Sequence, residues 1–323
     1  MNTKSKKRID ILNLPTEYMM LVVLIVLCMV LSLLKPAFYS SFNLSTLVRT
    51  ISWTTIVAFG QTLVLLTGGI DLSVAGMAGM SGILSAWFMV NAGIPPYIVI
   101  PVVIIFAYLV GCINGILITK MGMVPFIVTL ATGQIFTGII YVITQGHPIL
   151  GIPESAMLLG QGMVFGVIPF PTIAMIILCF ILIYVMKFTP FGRYVYAVGG
   201  NAEAARIAGI KSDKIVINVY GLSGVMASIA GILITCRLGT AQPTVGADWV
   251  MPSVTAAAIG GTSLAGGRGT IIGALIGGCF MGVVENAITI LAISAYWEQV
   301  ITGAIIIIAI AIDCIKSRRI DAV

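Results

Sequence analysis

Carboxylates inside apolar stretches are the side chains best placed to do chemistry in this chain. Asp71 follows Gly68-Gly69-Ile70, Glu285 stands beside Asn286 in a long apolar run, and Glu298 lies near one end of the last run. A charge at membrane depth is costly and is kept where it pairs, meets water or serves a pathway. Asp71 precedes a fresh apolar run and reads as the N-cap of that helix. Glu285 reads as a pathway residue. Neutral polar side chains, among them Gln61, Asn114, Thr129, Gln134, Asn218 and Tyr220, punctuate other apolar runs. Amides and hydroxyls suit a route for a neutral polyhydroxylated solute, and helix-to-helix hydrogen bonding is their alternative use. The pathway candidates are Gln61, Asn114, Gln134, Glu285 and Asn286.

Catalytic constellations are lacking. The single histidine, His147, stands in a Gly-His-Pro turn, a setting typical of a solvated turn residue. Gly79-Met80-Ser81-Gly82 and Gly221-Leu222-Ser223-Gly224 share the GxSG pattern of intramembrane serine proteases. Such a protease needs a helix-borne base after its serine, and His147 does not supply one. There is no GxxxxGK[ST] phosphate loop and no HExxH, so ATP and zinc hydrolysis are not expected here. Cys28, Cys112, Cys179, Cys236, Cys279 and Cys314 lie in or beside apolar runs without a CxxC pair, and read as small buried residues. The expectation is a non-enzyme without a cofactor or metal of its own.

The elements that must position these residues follow from composition. Of 323 residues, 59% are hydrophobic and 9% charged, against about 45–50% and about 25% in a soluble domain. Bilayer lipid is the matching solvent, and the net charge of +6 is not a nucleic-acid footprint. A spanning helix takes about 20 residues. Apolar runs at 18–34, 48–67, 73–90, 95–118, 125–144, 171–187, 215–237, 250–265, 270–293 and 297–315 predict an all-α polytopic membrane protein of about ten spans, a single domain over 1–323. The first run follows Lys4, Lys6, Lys7 and Arg8 without an A-x-A-like cleavage site, and reads as a retained span. With a cytoplasmic N-terminus, fourteen Lys/Arg fall inside and three, Lys35, Arg49 and Arg237, outside. That asymmetry predicts both termini in the cytoplasm.

Two runs are poor helices. One breaks at Gly68-Gly69 before Asp71, and 250–265 carries Pro252 and then Gly260-Gly261, so broken or short helices are expected near 68–73 and 250–267. Such breaks survive in a membrane where protein or a water-lined cavity satisfies the freed backbone. The glycine pairs 111/115, 273/277 and 278/282 predict close helix packing. Segment 187–214 collects five bases, and within it Asn201 can cap, and Gly209 end, a short helix bearing Glu203, Ala204, Ala205, Arg206 and Ile207,. A soluble partner could grip it.

Gly192-Arg193-Tyr194-Val195-Tyr196-Ala197-Val198-Gly199-Gly200-Asn201, continuing into Glu203-Ala204-Ala205-Arg206-Ile207-Ala208-Gly209-Ile210, resembles the cytoplasmic loop of the ribose-type sugar permeases of bacterial ABC importers. Thr62 to Ser73, Gly260 to Gly267 and Ala241-Gln242-Pro243-Thr244 resemble further signatures of that family, in family order. The resemblance implies a second permease subunit, an ABC ATPase subunit that carries ATP and Mg, and a periplasmic sugar-binding protein. It makes 187–214 the coupling loop, with Glu203-Ala204-Ala205 and Gly209 matching the first half of the EAA-xxx-G pattern. The implied function is inner-membrane import of a monosaccharide, ribose or a related sugar. The alternative from another class is a proton-coupled secondary transporter using Asp71 or Glu285.

Overall fold

The structure is a computed structural model and describes residues 16–294, together with 297, 300–305, 307, 308 and 311. Lys4, Lys6, Lys7, Arg8, Glu298, Cys314, Lys316, Arg318 and Arg319 lie outside the described residues, as does most of the expected span 297–315.

The chain is helical nearly throughout. Twelve α-helices among the described residues run in order: α1 (Thr16–Leu34), α2 (Ser41–Leu66), α3 (Val74–Val90), α4 (Pro96–Lys120), α5 (Pro125–Thr144), α6 (Glu154–Gln161), α7 (Phe170–Phe188), α8 (Pro190–Gly200), α9 (Ala202–Ile207), α10 (Ser212–Leu238), α11 (Val250–Ile259) and α12 (Ile271–Ile290). Helices α4, α5, α7 and α8 begin with proline in the first turn, where a missing N–H costs nothing. Two antiparallel pairs of two-residue strands complete the fold. β1 (Ile149–Leu150) pairs with β4 (Thr240–Ala241), with Ile149 opposite Ala241, and β2 (Met163–Val164) pairs with β3 (Ile168–Pro169).

Six helices, α1, α4, α5, α7, α10 and α12, are long and apolar enough to cross a membrane. α3 is apolar but 17 residues long, and α11 has only 10. The expected span 250–265 is therefore shortened, since the chain leaves the helix at Gly260 and turns at Gly261, where φ is +92°. α2 starts seven residues before the expected 48, which places Arg49 inside a helix instead of a loop. Segment 145–170, expected as a loop, holds α6 and three short strands.

α10 is the axis of the bundle and packs on α2, α3 and α4. Its small residues permit that: a Cβ at Gly224 would stand 2.5 Å from the Ala107 carbonyl oxygen, and one at Gly231 would overlap that of Ala78. The three GxxxG pairs behave as packing residues. Gly111 and Gly115 press on α10 at Tyr220 and Ile217, Gly273 and Gly277 on α11 at Gly260 and Ala256, and Gly278 and Gly282 on α2 at Thr55 and Ile51. Side chains missing from these contacts let backbones approach and gain dispersion. Five free cysteines are found among the described residues, none disulfide-bonded.

The bundle has two distinct ends. One gathers the end of α2, the 266–269 turn, α8, α9 and the ion pair Lys120–Asp213 at 2.5 Å. The other gathers the β1–β4 pair, α6 and Arg49, whose guanidinium donates to the carbonyls of Gly160 and Gln161 at the end of α6. Those carbonyls have no intrahelical donor, so the arginine and the helix end satisfy one another. Arg237 stacks over Trp53 at 5.0 Å beside them, a cation–π contact.

Candidate functional site

Three features carry functional promise: the first helix break, a cavity beside it, and the exposed α9. The break, residues 67–73, reverses at Gly68, where φ is +76°, a conformation that glycine adopts without strain,. Asp71 is buried, with 1% of its surface exposed. Its Oδ1 accepts from the Ser73 backbone N–H at 2.9 Å and the Ser73 hydroxyl at 2.5 Å, and its Oδ2 accepts from Ser223 Oγ of α10 at 2.7 Å. Gln61 Nε2 donates to the Asp71 carbonyl at 2.5 Å, and Tyr220 OH to the Ile70 carbonyl at 3.2 Å. Asn114 Nδ2 donates to Ser73 Oγ at 3.2 Å and accepts from Thr132 Oγ1 at 2.7 Å. Side chains of α2, α4, α5 and α10 thus converge on one interrupted stretch of backbone, satisfying groups that lipid would leave bare.

This geometry corrects one sequence reading. Asp71 is not the N-cap of α3: that position is held by Ser73, whose side chain makes no cap hydrogen bond, while Asp71 bonds two residues ahead and across to α10. Gln61 and Asn114 are fully buried and brace the break. Asn286 exchanges two hydrogen bonds with Asn43 at 2.8 and 3.2 Å.

The other two pathway candidates line cavities. Gln134 is exposed on α5 and belongs to a cavity of about 400 Å³ between α3, α5 and segment 243–251, whose polar wall also includes Thr137, Tyr141 and Thr244. Glu285 borders a smaller one of about 190 Å³ with Trp53, Asp248 and Trp249. Segment 243–252 separates the two. Thr137, Tyr141 and Thr244 escaped sequence reading because a hydroxyl in an apolar run gives no sign of the wall it faces.

The second break, 260–270, meets the first. Gly267 N–H donates to the Leu66 carbonyl at 2.9 Å, and the Gly68 and Gly266 backbones touch. The break glycines Gly68, Gly69, Gly260 and Gly261 all lie at chain reversals or helix ends, as the sequence suggested. Tyr196 of α8 reaches the same turn, its OH donating to the Gly269 carbonyl at 2.8 Å. Burial, and then the nearby Glu17 carboxylate, push this phenol above its ordinary pKa, so it remains a neutral donor,.

α9 is the exposed element. Asn201 Oδ1 accepts from the Ala204 N–H at 2.9 Å, the N-cap the sequence signalled,. Gly209, at φ +83°, ends the turn,. Ala205 is buried against the body of the protein, whereas Glu203, Ala204, Arg206 and Gly209 are exposed and Ile207 shows 81% of its surface. α8, which precedes it, was not anticipated: within segment 187–214 the helical pattern was read over 201–209 alone.

Residues 43–310 match the family described as branched-chain amino acid transport system / permease component. The chain is 40% identical over 296 residues to the ribose import permease of Bacillus subtilis (strain 168), covering 91% of each. It is 36% identical over 303 residues to the ribose import permease of Escherichia coli (strain K12), covering 92% of this chain and 93% of the relative. To the fructose import permease of Rhizobium meliloti it is 36% identical over 288 residues, 87% of this chain and 80% of the relative. No solved structure matches the chain. With a family match across most of its length and relatives aligned from end to end, the chain belongs to the permease components of ABC importers, multi-pass transport subunits of the inner membrane that are not themselves enzymes.

Proposed function

We propose that this permease carries a monosaccharide, ribose or a close relative, along the cavity walled by Gln134, Thr137, Tyr141 and Thr244. The sugar reading is favoured over an amino acid by the chemistry of that wall. Amides and hydroxyls match sugar hydroxyls, whereas a zwitterion calls for fixed charges, and among the described residues no charged one lines the cavity,. Relatives named for ribose and fructose import support the same choice.

The observation that carries ATP-driven transport is α9, a preformed capped turn with Ile207 left in the open. In this reading Ile207 and the small Ala204 and Gly209 enter a groove on an ABC ATPase subunit, which holds ATP and Mg, while Glu203 and Arg206 set orientation from the rim. α9 then faces the cytoplasm together with both termini, in a ten-span arrangement. The β1–β4 end faces a periplasmic sugar-binding protein, and a second permease subunit, identical or paralogous, closes the open side of the cavity. ATP-driven closure of the docked subunits rocks the two bundles between inward and outward access. Proton-coupled transport, the alternative that uses Asp71 or Glu285, has no need of a docking turn such as α9.

Uptake into proteoliposomes reconstituted with the ATPase and binding protein tests this reading. ATP should drive accumulation of labelled ribose or a competing monosaccharide, and an imposed proton gradient alone should not. Ile207→Asp should weaken ATPase co-purification by about 2 kcal/mol, roughly 30-fold in affinity, with the permease still folded. Uptake driven by the gradient without ATP would overturn the proposal.

A further inference from the structure

The last turn of α8 touches both helix breaks at once. A Cβ at Gly199 would overlap the Leu66 carbonyl oxygen and stand 2.7 Å from the Gly267 nitrogen. Gly267 donates its own N–H to that same Leu66 carbonyl at 2.9 Å. Gly266, at φ +91°, is so placed that a Cβ would lie 2.8 Å from the Gly199 carbonyl oxygen and 3.0 Å from the Gly68 nitrogen. Leu66 ends α2, Gly68 opens the first break, and 266–267 belong to the second. One turn back along α8, Tyr196 holds the Gly269 carbonyl at 2.8 Å.

Backbone atoms of three segments therefore meet without side chains between them. Such a contact has no rotamers to absorb a displacement, and close-packed regions transmit strain. This same end of α8 runs into α9 through Asn201 alone, whose cap ties the joint. Ala205, the buried residue of α9, further seats the pair on the bundle.

We propose that α9 acts as a lever on the glycine contact Gly199–Leu66–Gly267 at its joint with α8, so that a force on α9 displaces both helix breaks together. Tyr196 is a positioning residue that keeps the lever seated on the 266–269 turn. The proposal rests on docking of the ATPase at α9 and adds the route from that docking to the membrane-embedded breaks.

Adjacent glycines supply the test. A Cβ at Gly200 would meet nothing within 4 Å, whereas one at Gly199 meets Leu66. Gly199→Ala, Gly200→Ala and Tyr196→Phe are each reconstituted with the ATPase and binding protein, and ATPase co-purification, hydrolysis and sugar uptake are measured. All three should retain the ATPase and hydrolyse ATP. Uptake per ATP hydrolysed should fall roughly tenfold or more for Gly199→Ala, where an added carbon forces the contact apart. The ratio should fall about fivefold for Tyr196→Phe, the equivalent of one hydrogen bond, and stay unchanged for Gly200→Ala. If Gly199→Ala does not fold, Tyr196→Phe decides. A normal ratio in Tyr196→Phe, or an equal loss in Gly200→Ala, overturns the lever. Failure of the docking reading looks different: Ile207→Asp would then keep the ATPase bound.

Discussion

The two helix breaks begin with the same Gly-Gly pair and hold their backbones in different ways. At 67–73 the freed groups are taken up by side chains from α2, α4, α5 and α10, centred on the Asp71 carboxylate. At 260–270 the loop is built from backbone: Gly261, Gly266, Gly267 and Gly269 all have positive φ, Ser263 N–H bonds to the Arg268 carbonyl at 2.8 Å within the loop, and Gly267 N–H and the Gly269 carbonyl tie it to Leu66 and Tyr196. A segment braced from four helices is fixed by the packing of all four. One built from glycines has no side chains of its own to rearrange when its backbone moves. A side-chain-braced break thus sits against a glycine-built one, which is the pairing expected where a bundle must pivot.

The sharpest way to break this contrast is Asp71→Ala. Stranding the Ser73 N–H and the Ser223 hydroxyl in a buried site should cost about 3–5 kcal/mol, seen as loss of folded permease from detergent extracts. Wild-type recovery would mean that the first break is as tolerant as the second. Ser223→Ala, which removes a single hydrogen bond to a buried carboxylate, should lower stability by about 2 kcal/mol in thermal unfolding. In the glycine-built break, Gly261→Ala should cost about 1–2 kcal/mol from the left-handed backbone alone, and a larger loss than for Asp71→Ala would reverse the ranking. The smallest effect, under about 1 kcal/mol, is expected for Asp71→Asn: its carbonyl oxygen keeps the Ser73 N–H, and its amide donates to Ser223 Oγ once that hydroxyl rotates. Transport by this variant should persist.

Apolar runs and charge gaps located most helices to within a few residues, because a lipid-facing helix must be apolar over its length; α5 at Pro125–Thr144 matches the reading 125–144. The cap of α9 was legible for a local reason, with Asn201 and Gly209 acting on neighbours within the same turn. The partners of Gln61, Asn114 and Asn286 were not legible, for the opposite reason. The partner of Asn286 lies 243 positions away and that of Asn114 lies 41 away, and a residue type in an apolar run does not disclose which distant group meets it. α8 was hidden because Gly199, which admits Leu66 and Gly267 at backbone distance, also weakens the local helical signal,.

Arg49 bears on how the chain is made. It sits two turns inside α2 and its guanidinium is satisfied by carbonyls 111 and 112 residues further along. At ribosomal rates of about 5–20 residues per second, α2 waits roughly 5–20 s before those carbonyls exist. During that interval the Arg49 guanidinium has only water or the membrane interface to meet. Completion of α6 is then the event that fixes this end of α2, so a contact of an early helix is made late in synthesis.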